Sequence, residues 1–127
     1  MSHPSTLDER GLPPGYPFRP NWEVTPREVK ARLDAGEPIV LIDCRTPQEH
    51  AIASIEQAIL VPLHEAGMRL QELKQHADKK VIIHCHHGMR SLQMAAFLRH
   101  QGFADVTSLA GGIDAWAMGV DPAMKRY

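Results

Sequence analysis

The chain is predicted to be an α/β domain, a central, mainly parallel sheet flanked by helices on both faces. Three observations predict it. The apolar runs Ile39-Val40-Leu41-Ile42 and Val81-Ile82-Ile83 are continuous rather than alternating, as in strands buried on both faces. Thr25-Pro26-Arg27-Glu28 and Thr46-Pro47-Gln48-Glu49 are capping boxes with proline at the first helical position, one before and one after the first run. Strand-like and helical segments alternate along the rest of the chain, the pattern that builds parallel sheets.

Residues 1–21 read as a proline-rich arm: five of the ten prolines fall at positions 4, 13, 14, 17 and 20, with Leu12, Tyr16 and Phe18 able to pin it to the domain. The domain itself spans 22–120. A short extended piece after Trp22 leads into a helix from Pro26 to about Leu33, which Ala35-Gly36-Glu37-Pro38 ends. The strand from Ile39 delivers Asp43-Cys44-Arg45 at its C-terminal end. A short helix follows through Ile52, then a brief strand, Ala58 to Val61, closed by Pro62. Apolar residues at 63, 66, 70 and 73 predict an amphipathic helix from Leu63 to about His76. The strand Val81 to His84 then brings Cys85 to its mouth, and a helix from Met89 to about His100 ends at Gly102. A strand Val106 to Leu109, the pair Gly111-Gly112 and a helical segment around Trp116 complete the domain, and residues 121–127 form a tail.

A length of 127 residues with 43% hydrophobic content suits one packed domain. Fourteen Lys plus Arg against fifteen Asp plus Glu give a net charge of −1, which argues against nucleic acid or an anionic membrane as a partner. No run approaches the roughly 18 apolar residues of a membrane span. No basic-then-apolar leader opens the sequence, so a cytoplasmic location is expected. Two cysteines, Cys44 and Cys85, are too few for a disulfide scaffold and suit a reducing compartment.

Open parallel sheets bind ligands outside the C-terminal ends of their strands, where both Asp43-Cys44-Arg45 and Cys85-His86-His87-Gly88-Met89-Arg90-Ser91 fall. A cysteine in a loop that opens a helix has backbone N–H groups, a helix dipole and a nearby cation to stabilise its thiolate, the nucleophilic form. Cys85 is therefore the candidate nucleophile. Successive N–H groups from His86 to Ser91 can form a nest for an anion, and Arg90 adds a permanent charge. Gly88 serves the loop conformation, and Ser91 reads as a loop-stabilising residue more than a chemical participant.

The runs Leu41-Ile42-Asp43-Cys44-Arg45-Thr46-Pro47-Gln48-Glu49, His84 to Ser91, Gly102-Phe103 and Leu109-Ala110-Gly111-Gly112-Ile113-Asp114-Ala115-Trp116 resemble the rhodanese homology domain over roughly residues 22 to 120. The likeness is greatest to single-domain bacterial sulfurtransferases. What the resemblance implies is a rhodanese-like fold and a persulfide on Cys85. A small sulfur-containing anion such as thiosulfate is the implied donor and cyanide or a thiol the acceptor, with a protein sulfur acceptor also possible and no cofactor needed. Residues 86–91 would bind substrate. An alternative is a sulfur-relay or partner-binding module with little turnover on thiosulfate, docked through the arm or Tyr127. Phosphatase or arsenate reductase activity ranks lower, because four residues separate Cys85 from Arg90, one fewer than in the related phosphatases, and the tighter loop suits a cysteine-bound sulfur.

Asp43 and Arg45 are supporting residues, with Arg45 expected to pair with Glu49 across one helical turn and Asp43 to accept N–H bonds or orient Arg90. Cys44 reads as a small buried hydrophobe, with a resolving thiol as the functional alternative. The cluster His84-Cys85-His86-His87 contains metal-ligand types, but adjacent residues do not easily converge on one ion, so no metal is expected. His86 and His87 are instead expected to line the pocket and His84 to point into the sheet. His3, His50, His64, His76 and His100 are assigned to the surface. One stretch departs from the family: Ala53-Ser54-Ile55-Glu56-Gln57-Ala58 stands where many members have Gly-His-Ile and Pro-Gly-Ala, so a different turn is expected there.

Overall fold

The structure is a computed structural model that describes residues 7–127; Pro4 and His3 lie outside the described residues. Five strands form one sheet: β1 (Glu23–Val24), β2 (Ile39–Asp43), β3 (Ile59–Leu60), β4 (Lys80–His84) and β5 (Asp105–Leu109). The order is β1-β5-β4-β2-β3 and every pairing is parallel, so all strand C-termini open on one edge. β2 and β4 run side by side in register from Ile39 opposite Lys80 to Asp43 opposite His84.

The two apolar runs are continuous because both faces are covered. Ile42, Val81, Ile83, Met94 and Leu98 share one cluster, under α4 (Met89–His100). Leu41, Ile82, Val29, Ile113 and Trp116 share the other, under α1 (Pro26–Asp34) and α5 (Gly112–Gly119). Successive residues of β4 thus enter opposite cores, the period of a strand. Thr25 caps α1 by accepting from Glu28 N, and α2 (Pro47–Ile52) carries the full capping box between Thr46 and Glu49.

The predicted helix from Leu63 to His76 is instead a chain of turns: a 3-10 turn at Leu63–Glu65, a single α turn α3 (Leu70–Leu73) and a second 3-10 turn at Lys74–His76. Its apolar spacing is sound, since Ala66 and Leu73 are buried and Leu63 and Leu70 pack against them. Gly67 sits in mid-segment, where it costs about 1 kcal/mol in a helix, and no side chain caps either helical start. Residues 7–21 lie against the domain: Leu12 is fully buried with Ala110 and Ala115, and Tyr16 and Phe18 pack on that cluster. No described helix is long and apolar enough to cross a membrane.

Candidate active site

Cys85 is the first residue beyond β4, and its side chain enters the α4-side core, 1% exposed. The chain then turns through His86 and His87 to Gly88, whose φ of +120° other residues resist; a Cβ there would also lie 2.9 Å from the Tyr16 hydroxyl. That turn aims Gly88 N–H at the sulfur at 3.1 Å, and the first turn of α4 adds Ser91 N–H at 3.4 Å and Ser91 Oγ at 3.3 Å. The loop is fixed from behind as well. Ile113 N–H and Asp114 N–H, at the start of α5, donate to the carbonyls of Cys85 and His86 at 2.9 and 3.2 Å. Gly112 permits the approach, since a Cβ on it would meet the His86 carbonyl at 2.4 Å.

These donors hold the sulfur ionised. The neighbouring Cys44 thiol, then Ser91 Oγ and the Ser91 and Gly88 N–H groups, favour the thiolate against the cost of burial and bring Cys85 from 9.0 down to about 4. The same contact with Cys85, together with burial, pushes Cys44 far upward, so Cys85 is the thiolate of the pair and Cys44 the thiol. Ser91 touches the sulfur as well as the loop. Its hydroxyl also reaches Gly88 O at 3.1 Å and Ser108 Oγ at 2.7 Å, and it has one hydrogen to give. Turned to the sulfur it stabilises thiolate; turned to Gly88 it leaves room for a thiol to donate.

The basic residues are arranged differently from expectation. Arg45 does not pair with the Glu49 carboxylate: its Nε and Nη2 bind Asp43 at 2.9 and 2.8 Å, and it reaches only the backbone carbonyl of Glu49, at 3.3 Å. Arg45 and Asp43 are both fully buried, and a buried guanidinium takes the carboxylate that shares its enclosure. Asp43 does not orient Arg90. Burial opposes its ionisation, but Arg45 holds it below the usual carboxylate range, aided by His50 Nδ1 at 2.7 Å. His50 is thus tied to the interior rather than a free surface residue. Glu49 binds Arg90 through both oxygens, at 2.6 and 2.9 Å, and that contact drives its carboxyl strongly down.

His84 is fully buried, with Nδ1 3.4 Å from the Cys85 carbonyl, and burial lowers its pKa. His86 is also lowered, by burial and then by His87, which favours the neutral ring. It lies in a stack: His87 at 3.8 Å and Tyr127 at 3.9 Å between ring centroids. The Tyr127 hydroxyl donates to Glu49 Oε2 at 2.8 Å and accepts from Arg45 at 2.8 Å. Met89 is 63% exposed, its side chain outside the cradle.

His86, His87 and Asp114 bring three possible ligand atoms within 4.8 Å of one another. The two imidazoles are stacked on one another at 28°, however, and Arg126 already holds Asp114 at 2.8 and 3.3 Å. The group is poorly disposed to close on one ion.

A cavity of about 300 Å³ is lined by Cys44, Arg45, Thr46, Pro62, Leu63, His64 and Arg90, and so reaches the neighbour of Cys85 rather than Cys85 itself. A larger one, about 570 Å³ between Lys30, Ile55 and Trp116, touches no residue of the Cys85 loop. Sequence reasoning did not anticipate Glu49 as the partner of Arg90, Tyr127 as the cover of His86, or Ser108 behind Ser91. Each contact joins residues at least 17 positions apart, and local spacing carries no signal of that kind.

The sequence matches the Rhodanese-like domain family over residues 25–118. A sulfurtransferase of Allochromatium vinosum is 39% identical over 95 residues, covering 75% of this chain and 87% of that protein. A probable adenylyltransferase/sulfurtransferase, MoeZ, of Mycobacterium tuberculosis is 40% identical over 106 residues, covering 82% of this chain; the chain spans about a quarter, 26%, of that relative. Among solved structures, a rhodanese-like domain protein of Staphylococcus aureus superposes with a TM-score of 0.71 at 26% identity, covering 84% of this chain and 98% of that one. An ionised, donor-ringed cysteine at the mouth of a parallel sheet and a family match over most of the chain lead to one conclusion: the chain belongs to the rhodanese-like sulfurtransferase family.

Proposed function

We propose that the protein moves sulfane sulfur through a persulfide on Cys85, taking it from a small donor such as thiosulfate and passing it to cyanide or a thiol. The Cys85 thiolate attacks the outer sulfur of thiosulfate, the S–S bond breaks and sulfite leaves with its electron pair. The acceptor then takes the outer sulfur and the thiolate returns. The observation that carries this reading is the Cys85 sulfur itself, ringed by Gly88 N–H, Ser91 N–H and Ser91 Oγ at the N-terminus of a 12-residue helix. Those donors suit an anion that alternates between one sulfur and two. His86, His87 and Met89 shape the surround, and Arg90 flanks the entrance.

A second reading, transfer from or to a protein thiol with little thiosulfate turnover, draws support from the Arg90–Glu49 pair. Both Nη atoms of Arg90 are engaged by Glu49, so a dianion arriving at the cavity meets a neutralised guanidinium. A persulfide donor carries less charge and suffers less from this. Phosphoryl chemistry is the least suited, since a phosphate needs the cations that are paired here.

Intact-mass measurement after incubation with thiosulfate tests the proposal. One added sulfur on Cys85, removed by cyanide and absent from Cys85→Ser, is the expected result. An unchanged mass with thiosulfate and with low-molecular-weight thiol persulfides would overturn it. Turnover with thiol persulfides and none with thiosulfate would favour the relay reading.

A further inference from the structure

Cys44 and Cys85 are each the residue immediately beyond a strand, and those strands, β2 and β4, are in-register neighbours ending at Asp43 opposite His84. Cys44 N–H donates to the His84 carbonyl at 3.0 Å, which continues the register by one step. The two cysteines therefore lie side by side, and they belong to the same core cluster, so their side chains leave the same face. Neighbouring strands stand about 4.8 Å apart, within the Cα window of about 4.4–6.8 Å that a disulfide spans. Both thiols are free and each is 1% exposed. Cys44 also lines the 300 Å³ cavity that holds Arg90, so the pair has an outlet for a small anion.

We propose that Cys44 resolves the Cys85 persulfide when no acceptor is present, releasing sulfide and leaving a Cys44–Cys85 disulfide. The inference rests on the persulfide reading above. The proton of Cys44 passes to the outer sulfur, and the Cys44 sulfur attacks the inner sulfur, Cys85 Sγ. The persulfide S–S bond breaks, and hydrosulfide leaves with its electron pair and that proton. Two cysteines are oxidised to cystine and one sulfane sulfur is reduced to sulfide, so the electrons balance without an external oxidant. A dithiol reductant then returns the pair to the thiolate and thiol.

The geometry also sets when this happens. Cys44 is a thiol in the resting protein, and thiols are poor nucleophiles, so the resolving step is slow beside transfer to an external acceptor. When no acceptor arrives, Cys44 is the thiol that remains beside the buried persulfide. The consequence is a loaded enzyme with a limited lifetime.

The test loads the full chain with inorganic polysulfide, which charges cysteine chemically whatever donor the protein prefers, removes the excess, and follows intact mass and free sulfide without reductant. Wild type should lose the added sulfur, release one equivalent of sulfide and end two hydrogens lighter than the unloaded protein, with peptide mapping giving Cys44–Cys85. Cys44→Val and Cys44→Ser should keep the persulfide at least about tenfold longer and release no sulfide; two variants guard against one that packs poorly. Equal persulfide lifetimes in wild type and both variants, or a persistent extra sulfur on Cys44 with no sulfide released, would overturn the inference while leaving the persulfide reading intact. Failure of Cys85 to take up sulfur from polysulfide would overturn both.

Discussion

Two neighbouring strand ends perform opposite tasks with opposite materials. After β4, the Cys85 loop stabilises a negative charge with neutral dipoles: two backbone N–H groups, a hydroxyl and a helix terminus. After β2, Asp43 and Arg45 neutralise one another completely inside the protein, with His50 and the carbonyls of Glu49 and Ala53 taking up the remaining capacity. On the proposed chemistry, the first arrangement gains and loses a sulfur atom with no full charge to move. The second is closed and has nothing left to offer a ligand. Here neutral dipoles rather than a paired counterion hold the sulfur, since Arg90 is taken up by Glu49.

Breaking the closed end should have the largest effect on stability. Asp43→Ala strands a buried guanidinium and is expected to cost about 3–5 kcal/mol, read as a lower urea midpoint at an unchanged slope. Breaking the open end should spare the fold and alter reactivity. Ser91→Ala removes a donor to the thiolate and should raise the Cys85 pKa, slowing alkylation by iodoacetamide near pH 5 by about tenfold.

The pH profile of the wild type sharpens the same contrast. Its alkylation rate should stay level through the acid range and fall only as the pH drops through about 4. The sign for stability follows, since a thiol depressed on folding favours the native state above its unfolded pKa. That gain shrinks as the pH falls from about 9 toward about 4 and is gone below it. Cys44 stays protonated in the folded state across that window and ionises in the unfolded chain only near its upper end, so it does not alter the trend on acidification. The stability difference between wild type and Cys85→Ser should therefore narrow on acidification.

Glu49→Gln links the two ends, because it keeps the helix cap but releases Arg90. The KM for thiosulfate should fall roughly threefold as the guanidinium, no longer paired with a carboxylate, becomes available to the donor; an unchanged KM would show that Arg90 does not meet the donor. The smallest effect lies away from both ends. Gln57 occupies the left-handed region at φ +77°, the only described non-glycine residue to do so, and Gln57→Gly should add about 1 kcal/mol, seen as a raised Tm.

The open end was largely legible in the sequence because it is local. Cysteine, glycine and serine within seven residues, flanked by an apolar run and a helical pattern, determine the cradle almost by themselves. The helix Met89–His100 and the short helix ending at Ile52 have the expected bounds for the same reason. The closed end was misread where it is nonlocal. The expectation that Arg45 pairs with Glu49 follows helical spacing, whereas burial sends Arg45 to Asp43 and frees Glu49 for a residue 41 positions away. Cys44 reads from its own strand as a small buried side chain, with a resolving thiol as the alternative, and its place beside Cys85 depends on register, which no single strand reveals. The segment after Pro62 shows the converse, with the apolar periodicity of a helix but a backbone broken near Gly67.

The start of α5 fixes more than the position of the loop. By taking the carbonyls of Cys85 and His86 onto Ile113 and Asp114, it removes the two oxygens that would otherwise be free to rotate toward a ligand. The loop therefore has a fixed electrical polarity: peptide flips that would let the same turn greet a cation are closed off by a neighbouring element. Changes to the loop residues can retune which anion enters and how large it is, but reversing the sign of the guest would require rebuilding the helix behind it.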